Sequence, residues 1–440
     1  AQVMAIYNGK TFVEEGTIDA SAGVVGVVLD RTSYYAESGG QAFDVGTLEV
    51  AVAAGGGGGG SGDADDEGTD TGAPFFEVRS TQVFGGFVLH VGEVRRGELG
   101  VGNTVKCKVD YETRGFVAPN HTMTHALNYA LRRVLGGDVD QKGSAVEADK
   151  LRFDFNHGKA LTSKQLNEVD RIVNEIIGKA MPVHSKVVPL ADARRVHSLR
   201  AVFGETYPDP VRVVVIGKEV DAMVADPENA AWEGYSVELC GGTHIANSAS
   251  AHKFTVIEEG SIAKGIRRIV AVTRDRATEA LNVNGELEYK FSCARALKGL
   301  ELEKELVELS KTLDDAVCSA GAKMDFRAEY KALEKRMLAE RKAVFTELAN
   351  SLAERTSEHW ERATKAGGKF IVLGDLGFNG NGKLQKQSLT AIKKACGEAT
   401  FIGFDTAGAK STLICVVGAA GVEAGLNAGD LVGAAAGAAG

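Results

Sequence analysis

Two short segments hold the residue types best suited to chemistry, His121-Thr-Met-Thr-His125 and Cys240-Gly-Gly-Thr-His244. Histidines at i and i+4 on a helix project from one face with Cβ atoms roughly 5–6 Å apart, which lets both bind one ion. Cys240 and His244 enclose a Gly-Gly pair, a composition that suits a loop folding both side chains inward. Together they offer three imidazoles and one thiolate, a set matched to zinc in softness and number. H-x-x-x-H alone is as readily a chance surface pair, and the second motif is what favours a metal. Four protein ligands leave no evident vacancy for water, so a structural zinc is the alternative to a catalytic one. His90, His157, His184, His197, His252 and His359 have no partner at such spacing and read as structural or exposed.

The chain that must position these residues has 440 residues, 44% hydrophobic and 25% charged, which excludes wholesale disorder. Gly is abundant at 54 and Pro scarce at 7, and no apolar run is long enough to span a membrane. Five acidic residues and no basic ones lie between positions 55 and 72. Without them 50 basic residues face 54 acidic ones, so the net charge of −9 does not exclude a local RNA-binding face. The six cysteines are widely spaced with no C-x-x-C pair, which fits a reducing compartment.

The pattern reads as α+β. Residues 1–112 carry short strands, as at Gly23 to Leu29, Phe87 to His90 and Val101 to Val109, and a small β-barrel is the expected way to close them. Positions 55–72 form a flexible acidic and Gly-rich insertion. Residues 113–275 are mixed: a helix from Thr122 to Leu135 stopped by Gly136-Gly137, another from Leu166 to Ala180, and a strand from Val211 to Ile216. In 281–366, apolar residues step by three and four from Leu302 to Val317 and from Phe326 to Leu352, predicting two long helices folded into an antiparallel pair around Ser319-Ala320-Gly321. That pair is a spacer, an oligomerisation stalk or an RNA contact. Residues 367–440 form a small α/β domain whose Ala/Gly end reads as cut short; Ala1 likewise reads as an internal start.

The sequence around these motifs resembles alanyl-tRNA synthetases. The resemblance rests on Asn120 to Leu127, Gln141-Lys-Gly-Ser144, Leu151-Arg-Phe-Asp-Phe155, Val237 to His244 and Ala263 to Ile269, with Asp30 to Gln41 as a Gly-rich signature upstream. Order and spacing hold from about residue 20 to 275, and Ala201 to Val213 is most similar to eukaryotic cytosolic members. The resemblance implies a zinc-dependent editing core at 113–275, within an enzyme that joins alanine to tRNA(Ala) using ATP and Mg²⁺. The ligase domain would precede Ala1, so the implied activity here is proofreading: hydrolysis of Ser-tRNA(Ala) and Gly-tRNA(Ala). A pocket sized for alanine rejects serine and glycine weakly, whereas a second site can require the hydroxyl.

By the same resemblance His121, His125, Cys240 and His244 are metal ligands, Gln141 lines the pocket, and Thr32 is a candidate for reading the serine hydroxyl. Arg114, Arg267 and Arg268 are candidate contacts to RNA phosphates. Neither DNA nor a membrane is expected as a partner, and the compartment implied is the cytoplasm. The family's Gly-rich, Lys-bearing segment of the terminal domain has no counterpart before Gly440, which counts against binding of the tRNA elbow there. Two rival readings are a free-standing trans-editing deacylase and a non-enzymatic tRNA-binding module with structural zinc.

Overall fold

Short apolar strands broken by glycine turns dominate the first hundred residues, and they pair into one strongly curled antiparallel sheet. The computed structural model describes residues 1–51, 73–201, 206–407 and 410–438; the acidic insertion at 55–72 lies outside them. Strands β1 (Val3–Tyr7), β2 (Phe12–Val13), β3 (Thr17–Ile18), β4 (Val25–Leu29), β5 (Gly46–Val50), β6 (Phe75–Phe84), β7 (Phe87–Arg96), β8 (Leu99–Gly100) and β9 (Val105–Val109) belong to this region. Seven of them run in the order β2-β1-β4-β7-β6-β5-β9, and β3 pairs separately with β8. Val3, Ile6, Val27, Leu48, Phe76 and Val105 fill the concave face. The register of β6 on β7 shifts between Val78 and Ser80. Opposite that bulge, Gly92 lies so close that a Cβ would stand 1.7 Å from the Glu77 carbonyl oxygen.

The expected closed β-barrel is not formed. Among the described residues the ladder runs from β2 to β9 without a closing strand pair; the two edges are joined by the Gln2–Thr104 bridge and by bonds linking Ala1 with Val105 and Val3 with Gly102 and Asn103. The reason is length. The five-residue strands β1 and β9 meet only at one corner.

Helix α1 (Tyr111–Leu135) starts eleven residues before the expected Thr122. Asp110 caps it by accepting from the amides of Glu112 and Thr113, worth about 1 kcal/mol. Pro119 inside the helix cannot donate to the Gly115 carbonyl, and Arg274 Nη1 bonds that oxygen instead at 2.7 Å. From Val117 to Asn128 every residue of α1 is buried, so it is a core helix and not an amphipathic surface one. It packs with α2 (Ser163–Gly178) on a four-stranded antiparallel sheet of β10 (Gln141–Val146), β11 (Leu151–Asn156), β15 (Phe254–Ala263) and β16 (Ile266–Thr273), in the order β10-β11-β16-β15. A three-stranded sheet, β12 (Val183–Val188), β13 (Val211–Ile216) and β14 (Ser236–Leu239), carries two short helices, α3 (Leu190–Arg195) and α4 (Val220–Ala225), and its own core around Trp232.

The chain divides into two compact units, residues 1–289 with 313–327, and 290–312 with 328–440. In place of a simple helical pair there are three helices, α5 (Arg274–Ala296), α6 (Gly299–Asp315) and α7 (Ala320–Lys365). In one unit Arg341 on α7 reaches Glu303 near the start of α6; in the other Lys323 near the start of α7 reaches the carbonyls of Asp314 and Ala316 at the end of α6. Leu302, Leu306, Leu309, Phe326, Leu333 and Leu352 are buried as their spacing requires. Val317, Val344 and Leu348 are exposed, because Val317 falls in the turn and α7 outruns its neighbours. The C-terminal residues form β17 (Ile371–Asp375), α8 (Gly382–Ala395), β18 (Phe401–Ala407), β19 (Lys410–Val416), α9 (Ala419–Glu423) and α10 (Ala428–Ala438), with the strands in the order β17-β18-β19.

Candidate metal centre

One turn of α1 separates His121 from His125, and their rings stand edge to face with centroids 5.2 Å apart. The second pair arrives from β14. Cys240 directly follows this strand, its amide bonded to the Arg212 carbonyl across the ladder. The chain then turns through Gly241-Gly242 so that His244 comes back beside Cys240. Arg212 secures the turn by donating Nη1 to the carbonyls of Gly242 at 2.5 Å and Cys240 at 3.3 Å. Gly242 is required by packing: a Cβ there would stand 2.1 Å from His121 Cε1. The His244 ring centroid lies 4.5 Å from that of His121 and 4.7 Å from that of His125. One ligand-type atom from each of the four residues falls within 4.8 Å of all the others. Cys240 Sγ is 3.3 Å from both His121 Nε2 and His244 Nε2.

The ring nitrogens facing away from this group fix the tautomers. His121 Nδ1 donates to Gln41 Oε1 at 2.6 Å, and the same oxygen accepts from the Thr243 amide while Gln41 Nε2 donates to Thr243 Oγ1. Both bonds orient the Gln41 amide, so His121 Nε2 keeps its lone pair for the centre. His244 Nδ1 donates to Thr122 Oγ1, whose own hydrogen goes to the Ala118 carbonyl. His125 Nε2 stands 3.7 Å from Glu238 Oε2, and its Nδ1 is buried with no hydrogen-bond partner. A buried imidazole nitrogen left without a partner is costly unless a cation takes its lone pair.

Electrostatics point the same way. Burial pushes His121 down to about 4, with Arg212 adding to the shift. His125 and His244 are held well below the ordinary imidazole range by burial, then by their neighbouring rings and Arg212. Three neutral imidazoles beside a thiol are the donor set a divalent soft-to-borderline ion requires, and the residues fit zinc. Burial also raises Glu238, to about 7, against the opposing Asn128 bond and the charges of Arg200 and Arg132.

The other sequence-singled residues have different surroundings. Gln141 opens β10 and lines a small cleft with Asn128, Arg132, Arg200 and Glu238, its Nε2 donating to Ser144 Oγ at 3.0 Å. Thr32 is tied to His90: its hydroxyl lies 2.7 Å from His90 Nε2 and accepts from the Tyr34 amide. The three arginines read as phosphate contacts are each closed by a carboxylate. Arg114 is held by Asp44, Arg267 by Glu259, and Arg268 by both oxygens of Asp154 at 2.7 and 2.8 Å. These pairs tie α1 to the first sheet and link β16 to its neighbours β15 and β11. Gln41, Thr122, Arg212 and Glu238 were missed as site residues. All four lie inside segments that carry the family resemblance, Gln41 as the last residue of the Gly-rich signature, but their spacing points to no shared site.

Residues 1–113 match the family described as tRNA synthetases class II (A), and residues 211–270 match the threonyl and alanyl tRNA synthetase second additional domain. The class so defined is an aminoacyl-tRNA synthetase carrying the additional domain shared by the threonine and alanine enzymes. A cytoplasmic alanine–tRNA ligase of Dictyostelium discoideum is 40% identical over 399 residues, 89% of this chain and 39% of that protein. The cytoplasmic enzyme of Bombyx mori is 35% identical over 98% of this chain and 43% of its own length. A mitochondrial enzyme of Saccharomyces cerevisiae is 39% identical over 76% of the chain and 32% of its own length. The chain belongs to the alanyl-tRNA synthetase family, and it spans about two fifths of the length of the first two of these relatives.

Proposed function

We propose that this chain is the proofreading part of an alanine–tRNA ligase, hydrolysing the ester that joins serine or glycine to tRNA(Ala). The observation that carries this reading is the convergence of His121, His125, Cys240 and His244, with ligand atoms within 4.8 Å of one another and one imidazole nitrogen orphaned. These four residues would hold one zinc ion. Bound there, zinc supplies positive charge beside the ester, to polarise its carbonyl or to hold the terminal ribose. Four protein donors would fill a tetrahedral shell, so zinc would act by fixing these side chains and by its charge, without a direct bond to the substrate.

The chain's own groups do the rest. Gln41, Thr122 and Glu238 orient the three imidazoles from behind. Gln141 keeps Oε1 without a hydrogen bond among the described residues while Ser144 holds its amide nitrogen, so it can accept from the hydroxyl of a seryl group. Alanine in the same place leaves that oxygen unpaired, which disfavours it by about 1–2 kcal/mol. Thr32, committed to His90, acts in this reading by shaping the curled sheet. ATP and Mg²⁺ serve alanine activation in the whole ligase, a step assigned to no residue here. The cytoplasm is the compartment this reading favours; no helix among the described residues is long and apolar enough to cross a membrane.

The test is deacylation of tRNA(Ala) charged with serine, glycine or alanine by the zinc-loaded chain, without ATP. Release of serine with alanine largely spared is expected, and Gln141→Leu should narrow the serine-to-alanine ratio about tenfold while retaining zinc. Equal hydrolysis of seryl and alanyl esters, or none at all, would overturn the reading.

A further inference from the structure

A cleft of about 410 Å³ opens beside the metal centre, between the end of α1, the residues after α3, and β14. Its walls carry three guanidinium groups, from Arg132, Arg133 and Arg200, and two aromatic rings, Tyr129 and Tyr235. These arginines differ from Arg114, Arg267 and Arg268. Arg200 is half-buried, yet no carboxylate lies within ion-pair distance of it among the described residues; its guanidinium donates to the Leu199 carbonyl at 3.2 Å. Arg133 likewise has no carboxylate partner among the described residues and lies over the Tyr129 ring at 5.9 Å. Arg132 is fixed by the carbonyls of Gly137 and Val139, with Asp140 at 3.7 Å.

Of the two acids in the walls, Glu238 is engaged by Asn128 at 3.0 Å and Glu233 faces His197 at 3.5 Å. A half-buried arginine with carboxylates near it but none in ion-pair contact is only partly compensated, and an anion in direct contact would complete it. Burial depresses the Arg200 guanidinium below its usual range, the charge of Arg132 is the next largest cause, and Glu238, Asp140 and Glu233 oppose the shift. An anion in contact with Arg200 offsets both lowering effects, and Arg133 lines the same cleft. The cleft volume lies in the range that encloses a small organic ligand, roughly 300–1,000 Å³. Tyrosine faces beside guanidinium groups suit a base next to its phosphate.

The cleft is also next to the proposed reaction site. Glu238 lines it and stands 3.7 Å from His125 Nε2, and the Arg200 backbone bridges to Glu238. We propose that this cleft is a nucleotide-phosphate site, in which Arg133 and Arg200 hold the backbone at the 3′ end of the RNA whose terminal ester lies at the metal centre. The choice of RNA as the source rests on the proofreading reading; the phosphate chemistry does not.

The test uses the whole zinc-loaded chain and an uncharged, fluorescein-labelled cytidylyl-cytidylyl-adenosine trinucleotide, with binding followed by fluorescence anisotropy. The double substitution Arg133→Gln/Arg200→Gln should weaken binding about tenfold or more and flatten its salt dependence by about one phosphate contact. Zinc content and the thermal midpoint should stay unchanged. Arg200→Lys, which keeps the charge, should recover most of the affinity lost in Arg200→Gln. Should the double variant fold poorly, this Lys-versus-Gln contrast carries the test alone. AMP should compete and adenosine should not; AMP competing as well as the trinucleotide would overturn the RNA end as the source. Unchanged binding in a folded double variant, or equal competition by adenosine, would overturn the phosphate site. Deacylation of Ser-tRNA(Ala) is measured separately: a chain that binds the trinucleotide through these arginines but releases no serine retains the cleft and loses the proofreading reading.

Discussion

Two buried histidine sites in the same unit differ in one respect that decides what each can do. At His90 in the curled sheet both ring nitrogens are closed by the chain, Nδ1 by the Val27 carbonyl at 3.0 Å and Nε2 by Thr32 Oγ1 at 2.7 Å. At the His121–His125–His244 cluster the chain supplies only the outward partners, Gln41, Glu238 and Thr122. The inward nitrogens converge on one another and on Cys240. Burial lowers the basicity of the ring in both places, so depressed basicity does not distinguish them. Completeness does. His90 needs nothing further, whereas in the cluster the inward atoms of three neutral imidazoles and a thiol face one another, an arrangement stable when a cation fills it.

The largest effect should come from Cys240→Ala, which removes the soft ligand. Metal affinity should fall at least a hundredfold, measured by competition with a chromophoric chelator, and serine release should fall with it. Full deacylation with zinc retained would place the metal elsewhere. Next comes Gln41→Leu, which leaves every ligand in place but frees His121 Nδ1 and the Thr243 amide. Zinc affinity should drop about 10- to 100-fold, the range for loss of an outer-shell partner; an unchanged affinity would show that Gln41 does not set the ring. Replacing His90 by Phe should invert the pattern, with zinc affinity unchanged and unfolding in urea easier by roughly 1–3 kcal/mol, because the Val27 carbonyl and Thr32 hydroxyl lose their partner.

The smallest effect is the pH dependence of that last comparison. Burial holds His90 below the usual 6.5 in the folded chain. Its neutral form is therefore favoured by folding, and its contribution is full above pH 6.5 and lost as the pH falls through the folded value. Wild type should lose stability on acidification below pH 6.5 more steeply than His90→Phe. Parallel stability curves would mean that His90 titrates in the fold as it does in the unfolded chain.

Spacing made the four cluster residues legible, because i, i+4 on a helix and C-x-x-x-H around two glycines are local signals. Their supports were not local. Gln41 lies 80 residues before His121, and only the fold of the curled sheet brings it there. Thr122 and Glu238 occupy ordinary helix and strand positions next to the ligands, and nothing in their type marks them. The start of α1 was obscured by Pro119, which reads as a breaker; Arg274, 159 residues after Gly115, repairs the missing bond. The partners of the arginines were hidden for the same reason: Asp154 faces Arg268 across the β11–β16 ladder, a partnership visible only once register is known. The barrel expectation followed from many short strands and glycine turns, but strand count does not fix whether the two edges pair along their length.

X-ray absorption at the zinc edge tests the cluster most directly. Protein purified without added chelator should contain about one zinc per chain, with a first shell of three nitrogens at about 2.0–2.1 Å and one sulfur at about 2.3 Å. His90→Phe should leave that spectrum unchanged, and Cys240→Ala should remove the sulfur. A shell without sulfur in the wild type, or protein that stays folded with no zinc at all, would contradict the assignment of these four residues to one metal ion.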